Sequence, residues 1–349
     1  MDYRNQVVQE DLGKITESGI PVEKLKEKCV LVTGANGMLA TYLVYYLMHL
    51  NEKGDGPVKV IALARNEKKA QERFGVFGGN PCFRLLIQDV CDSICPEEKV
   101  DYIVHAAGGA SPQAILNDPV GIIRANTQGT VNVLELARRD GAKVLYTSTR
   151  EVYGKMDESV TEIREEDFGF LDPMERRSCY PESKRIAESL IQSYYYQYGV
   201  ESAVARIAHS YGPGMNIDHD GRVMADFISD VVGKRNIVLK STGDAVRAFC
   251  YITDAISAML YVLLEGKNNE AYNIANETEP VPIREAAQTL VSLFPERGLS
   301  VVFDIPKEMS LGYSKMGRVA LSTGKLEGLG WRPMVSLAEG MRRTVVSFG

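Results

Sequence analysis

The stretch Cys29-Val-Leu-Val-Thr-Gly-Ala-Asn-Gly-Met-Leu-Ala40 decides the fold. Cys29 to Thr33 is an apolar run of buried-strand type, Gly34 and Gly37 bracket a turn, and Leu39, Leu43, Leu47 and Leu50 then recur at helical spacing. Glycines let the backbone turn tightly and approach a ligand closely. The helix behind them presents free N–H groups and a positive dipole end, which together suit a pyrophosphate. Ala40, at the third position of the motif, still lets the helix close on the strand.

Outward from this turn the rhythm repeats. Val58–Ala64, Tyr102–Ala107 and Val144–Ser148 read as further buried strands, and Pro119–Arg139 and Leu190–Tyr198 as helices. Strands with little period-2 alternation, alternating with helices, predict a parallel sheet covered on both faces. The expected fold is α/β: a Rossmann-type doubly wound parallel sheet over residues 28–205, with a smaller C-terminal α/β lobe over 206–349 for a substrate. Within that lobe a segment at about 246–265 is expected to return to the sheet domain. Residues 1–27 are polar with a weakly amphipathic stretch, an arm packed on the body or on another subunit.

Composition excludes several classes. The chain has 349 residues, 45% hydrophobic and 25% charged, an ordinary globular profile. A net charge of −6 gives no electrostatic reason to expect nucleic acid. No apolar run approaches a membrane span and the start is no signal peptide, so a cytoplasmic protein is expected. Six cysteines are too sparse for a disulfide framework, and neither they nor the four histidines have zinc-site spacing, so no metal is expected.

The residues with most chemical content are Tyr180-Pro-Glu-Ser-Lys184. Tyr and Lys four apart lie on one helix face, and a nearby ammonium favours the phenolate needed for proton exchange with a hydroxyl. Upstream, the strand ends in Thr147-Ser148-Thr149, one of whose hydroxyls can bind the same oxygen. At the end of the second strand stands Ala64-Arg65-Asn66. An acid there would hold the ribose hydroxyls of NAD, whereas Arg65 can receive the 2′-phosphate of NADP. Asn66 is placed to hydrogen-bond the ribose in the acid's stead, and Asp89 to accept from an adenine amino group.

At this point the chain resembles the extended short-chain dehydrogenase/reductase family, particularly its nucleotide-sugar epimerases, dehydratases and decarboxylases. The resemblance runs from about residue 28 to the end: TGANGMLA, HAA at His105, NTQGTVNVLELA from Asn126, STREVYG from Ser148, YPESK, YGPGM from Tyr211, VRAFCYITDA from Val246 and LGWRP at Leu329. It implies an NAD(P) enzyme that takes hydride from the sugar C4 and often returns it in the same turnover. Thr149 then binds the C4 oxygen, Tyr180 is the base, Lys184 its partner, and Glu151 takes a proton or orders a water. Gly34, Asn36, Gly37, Met38, Leu39, Arg65, Asp89, Val90, Ala106, Ala107 and Asn126, with Tyr180 and Lys184, are the implied cofactor contacts. Ser111, Arg150, His209, Arg222, Val223 and Arg247 are the implied substrate contacts.

Within the family the motifs are most similar to UDP-glucuronate decarboxylases, through Ser111-Pro112, Asp118-Pro119 and the stretch from Arg177. Arg150 stands where dehydratases carry an Asp that protonates a leaving hydroxyl; a guanidinium is a poor proton donor, which disfavours 4,6-dehydration. His209 replaces the usual Asn, and Gly214 an arginine of the decarboxylases. The expectation is therefore C4 oxidation and decarboxylation of a UDP-glucuronate-like nucleotide sugar with NAD, NADP being the alternative. C4 epimerisation is the alternative reaction, and a catalytically silent dinucleotide sensor the non-enzyme one. A homodimer is expected through Asn126–Arg139 and Lys184–Tyr198, where Val133, Leu134, Ala137, Leu190, Ile191 and Tyr194 suit either an interface or the core.

Overall fold

The first apolar run forms strand β1 (Cys29–Thr33), every residue of it buried, in the interior of the sheet. The computed structural model describes residues 1–54, 56–218, 220–305 and 319–349; His219, in the DHDGR stretch, lies outside the described residues. Among these, β1 is joined by β2 (Lys59–Ala64), β3 (Phe83–Ile87), β4 (Tyr102–His105), β5 (Lys143–Thr149), β6 (Ser202–Ile207) and β7 (Glu270–Ile274). They lie in the order β7-β6-β5-β4-β1-β2-β3, and every pairing is parallel. The order reverses at β1, and in such sheets ligands bind outside the carboxyl ends of the strands at that point.

Both faces of the sheet are covered, which explains why the strands read as continuous apolar runs. Val30, Val32, Val60, Ala62, Val104 and Leu145 face one core, with helices α1 (Gln6–Glu17), α2 (Met38–Lys53) and, from the returning segment, Ile252–Glu265. Leu31, Ile61, Leu63, Ile103, Val144 and Tyr146 face the other. That side is covered by α5 (Pro119–Asp140) and α6 (Cys179–Tyr198); α3 (Glu67–Phe74) and α4 (Pro112–Asn117) precede them. Val133, Leu134, Ala137 and Ile191, considered for a subunit interface, are buried in this monomer core, with Leu190 and Tyr194 packed partly against it. Burying each aliphatic side chain is worth about 1.5–3 kcal/mol, so the isolated fold accounts for them without a partner.

The N-terminal arm is built into the body. Asp11 of α1 is fully buried and accepts from Tyr42 Oη (2.8 Å), Tyr251 Oη (2.7 Å) and Arg343 Nε (2.7 Å). One carboxylate thus joins α1, α2 and the C-terminal helix Leu337–Val346.

Outside the seven-stranded sheet stand α7 (Val223–Val232), the helix Ile283–Ser292 and the parallel pair Ile237–Leu239 with Val301–Phe303, the elements expected to form a second lobe. Between them the chain returns to the sheet with α8 (Ile252–Glu265) and also with β7, so the returning segment extends beyond residue 265. β7 reads Glu-Ala-Tyr-Asn-Ile, too polar to announce a sheet strand. Trp331 of LGWRP is buried and donates to Ser257 Oγ (3.0 Å) of α8, while the Asp254 carboxylate of α8 accepts from the amides of Met334 and Val335.

Candidate active site

The turn after β1 is shaped by close approach. Gly34 has φ +64°, and a Cβ there would lie 2.6 Å from the Ala106 carbonyl oxygen. Gly37 caps α2 with no side-chain hydrogen bond, leaving the first amides of the helix, at Met38 and Leu39, without a side-chain partner. Asn36 donates through Nδ2 to the Asn66 carbonyl (2.9 Å), while its Oδ1 is buried with no partner. A glycine cradle, an uncapped helix start and an orphaned acceptor together fit a dinucleotide, whose pyrophosphate takes the amides and whose hydroxyls can donate.

Behind the cradle lies a polar spine. Ala106 N and Ala107 N donate to Thr33 Oγ1, which meets His105 Nδ1 at 2.8 Å; His105 Nε2 meets Thr130 Oγ1 at 3.2 Å. Thr130 donates onward to the Asn126 carbonyl, so His105 carries its proton on Nε2 and accepts from Thr33. Burial, then the Lys184 charge, lowers this imidazole to about 3. Asn126 is fully buried behind the site, donating to Ser183 Oγ (3.0 Å) and facing Tyr146 Oη (3.4 Å). Val90 packs beneath Gly129, where a Cβ would come within 2.8 Å of its Cγ1.

At the far end of the cradle Arg65 is solvent-exposed and only 3.5 Å from Asp89 Oδ2. Asp89 also accepts from Cys91 N, and that bond, with the arginine's charge, holds its carboxyl below the usual range. Asn66 Oδ1 is engaged in capping α3 at Lys69 N (2.9 Å), so its acceptor is not idle for a ribose. An arginine this exposed adds little to binding. Arg65→Ala is expected to change NAD affinity by less than about 1 kcal/mol, measured by calorimetry on protein stripped of nucleotide.

The strand end sorts the three hydroxyls. Thr147 Oγ1 donates to the His105 carbonyl (3.1 Å) and Ser148 Oγ to Glu188 Oε1 (2.6 Å). Thr149 accepts from Glu151 N (3.2 Å) and is the one of the three that acts on Tyr180, where it works against the rise of the phenol's pKa. Tyr180 sits in the first turn of α6, its ring packed on Ile115 of α4 and Ile122 of α5. Lys184 is buried one turn on, with Nζ on the Thr147 carbonyl (2.7 Å) and over the Tyr146 ring. Burial pushes the Tyr180 hydroxyl up to about 12, against Thr149, Arg222 and Arg177, and draws Lys184 down to about 7. Among the described residues the buried Lys184 ammonium is hydrogen-bonded to the Thr147 carbonyl, a neutral acceptor that satisfies it away from water.

The substrate candidates converge on this end. Glu151 accepts from Arg177 Nη2 (2.9 Å), a partner the motif reading did not single out. Arg222 grips the nearly buried Asp220 through two nitrogens, the second at 3.1 Å, and its charge reaches Tyr180. Val223 opens α7 beside it, half-exposed, and Ser111 caps α4 at Ala114 N (3.2 Å). Arg247 donates to the Val246 carbonyl (2.8 Å), and its charge acts on Arg150 and His209. Arg150 Nη1 meets His209 Nε2 at 3.0 Å. Gly214 has φ +79°, and the Met1 side chain occupies the space a Cβ would take.

A family profile described as "NAD dependent epimerase/dehydratase family" matches residues 30–275. The chain is 37% identical over 313 residues to UDP-glucuronic acid decarboxylase 6 of Arabidopsis thaliana, covering 89% of this chain and 86% of that protein. It is 33% identical over 341 residues to UDP-glucuronic acid decarboxylase 1 of Xenopus tropicalis, covering 95% and 76%. Among solved structures, a dTDP-glucose 4,6-dehydratase from Streptomyces venezuelae with NAD bound superposes with a TM-score of 0.73 at 26% identity, covering 92% and 96%. A UDP-glucose 4-epimerase from Thermotoga maritima with UDP-glucose gives 0.75 at 23%, covering 92% and 98%, a likeness of fold.

Proposed function

The chain belongs to the NAD dependent epimerase/dehydratase family and is a nucleotide-sugar-modifying enzyme that uses NAD, and from that premise we propose that it decarboxylates UDP-glucuronate through a 4-keto intermediate. The observation that carries this reading is that the buried Tyr180 and Thr149 stand together with the Glu151 carboxylate, two residues past Thr149 in the same turn. The decarboxylase relatives, aligned over 89% of the chain, support it.

Held at the Gly34–Gly37 turn and the first amides of α2, NAD would supply a hydride acceptor for C4 and a positive ring that favours the phenolate. Thr149 and Tyr180 hold the C4 oxygen between them, and the phenolate takes its proton as C4 is oxidised. The resulting ketone stands β to the C5 carboxylate, so the C5–C6 bond breaks, carbon dioxide leaves, and the electron pair moves onto the C4 oxygen as an enolate. The same two hydroxyls stabilise that oxygen where charge develops. Glu151, with one oxygen held by Arg177, orders the water that delivers a proton to C5. Tyr180 then returns its proton to the C4 oxygen as the carbonyl is reduced.

Incubation of the purified enzyme with UDP-glucuronate is expected to yield a UDP-sugar lighter by the mass of carbon dioxide. A product of unchanged mass would indicate epimerisation, and one lighter by water dehydration; either would displace this reading.

The enzyme is read as cytoplasmic and dimeric. All six cysteines are unpaired, which fits a reducing compartment. Among the described residues no helix is long and apolar enough to cross a membrane. With Val133, Leu134, Ala137 and Ile191 committed to the monomer core, the pairing of α5 and α6 across two copies falls to Ile123, Ile186 and Tyr198, which stand exposed on these helices. Light scattering at micromolar concentration is expected to give twice the chain mass; the monomer mass would refute the dimer.

A further inference from the structure

Two departures from the family pattern, Arg150 and His209, lie 59 residues apart in the chain and meet through their side chains. Arginine only donates, so His209 Nε2 is the acceptor and the imidazole is neutral with its proton on Nδ1. His209 adopts φ +46°, a left-handed conformation uncommon for a residue with a Cβ. It is held there by the Cys250 N–H on its carbonyl (3.2 Å), within the strand pair Ser210–Tyr211 and Cys250–Tyr251, and its ring tilts against Phe249. His209 is solvent-exposed rather than in the core.

Among the described residues Arg150 forms an ion pair with no carboxylate. The acids whose charge reaches it are Glu277 and Glu151, and both are engaged, with the Leu321 amide (3.0 Å) and with Arg177. The Arg247 guanidinium adds a second positive charge to the same wall. Among the described residues the remainder of the Arg150 fork is thus a planar set of donors with no anion, immediately after Thr149. A sugar whose C4 oxygen lies at Thr149 and Tyr180 carries its C5 substituent one carbon away, within reach of that next, long side chain.

We propose that Arg150, aimed by His209, reads the carboxylate on C5 of the sugar and so selects sugar acids over neutral hexoses. The inference rests on the proposed reaction at the same site. A carboxylate accepts two parallel N–H bonds from a guanidinium fork, whereas a hydroxymethyl group cannot, so discrimination follows from geometry as well as charge. His209 is a positioning residue: it takes one nitrogen of the fork and so fixes where the others point.

The test is calorimetric binding of UDP-glucuronate and UDP-glucose, which differ only at C6, to the NAD-loaded enzyme. Wild type is expected to favour the acid at least about tenfold, the scale of a charge-assisted pair. Arg150→Gln should lower affinity for UDP-glucuronate about ten- to hundredfold and change that for UDP-glucose less than about twofold. His209→Leu should erode the same ratio, and His209→Gln, whose amide oxygen is again an acceptor, should restore part of it. Arg150→Lys keeps the charge without the fork, and should fall between wild type and Arg150→Gln. If either Arg150 variant leaves the ratio intact, or shifts both ligands equally, the inference is wrong even where wild type still releases carbon dioxide. If wild type neither prefers nor decarboxylates UDP-glucuronate, the proposed reaction itself has failed.

Discussion

Tyr180→Phe is expected to lower turnover about a hundred- to ten-thousandfold, the range of positioned acid–base catalysis, while the protein keeps its fold and its NAD. The substitution removes one hydroxyl and leaves the ring that packs on Ile115 and Ile122. Thr149 keeps its bond from Glu151 N, so the strand end stays in place. What is lost is the group that exchanges a proton with the C4 oxygen. The hydroxyl stands raised to about 12 by burial, and burial also draws Lys184 down to about 7. Steady-state rates and a spectrum of nucleotide released on denaturation check both halves. A variant retaining more than about a tenth of wild-type rate would remove Tyr180 from the role of base.

Gly34→Ala is expected to purify with under about a tenth of the wild-type NAD content, because backbone strain and a backbone collision act together. Its φ of +64° costs any L side chain about 1–2 kcal/mol, and the new methyl would press on the Ala106 carbonyl and on Ala107 Cα, 2.6 and 2.7 Å away. Neither neighbour is a flexible side-chain end that can step aside. Gly141, the cap of α5, is the control: it has φ +70° with nothing within 4 Å of the built Cβ. Gly141→Ala should therefore lose about 1 kcal/mol of stability and keep its NAD. Equal NAD loss in the two variants would mean that strain, not the close approach of β1's turn to β4, sets nucleotide binding.

How much of this was legible in the residues follows from what each feature depends on. The sheet was legible because a strand buried on both faces tends to be apolar, as Cys29–Thr33 is for most of its length and residues 144–146 are within Lys143–Thr149. The Tyr180–Lys184 pair was legible because helical spacing alone places both on one face. The choice among Thr147, Ser148 and Thr149 was not, because it turns on partners forty or more residues away in two cases, His105 and Glu188. β7 was hidden by its polar composition; Tyr153 Oη meets its Asn273 Oδ1 at 2.6 Å, a bond made only after folding. Arg177 escaped because an arginine beside a helix start has no pattern of its own, and its role appears only with Glu151 at 2.9 Å. The apolar faces of α5 and α6 read equally as core or interface, since periodicity does not say what covers a face.

The most direct measurement of the central claim is the enzyme's reaction with UDP-glucuronate in D₂O, followed by NMR of the product. C4 oxidation with hydride return, and solvent protonation after loss of carbon dioxide, predict a UDP-pentose with one deuterium fixed at C5 and none at C4. Deuterium at C4, or a product in which C5 has taken none from solvent, would contradict a 4-keto decarboxylation carried by Thr149, Tyr180 and Glu151.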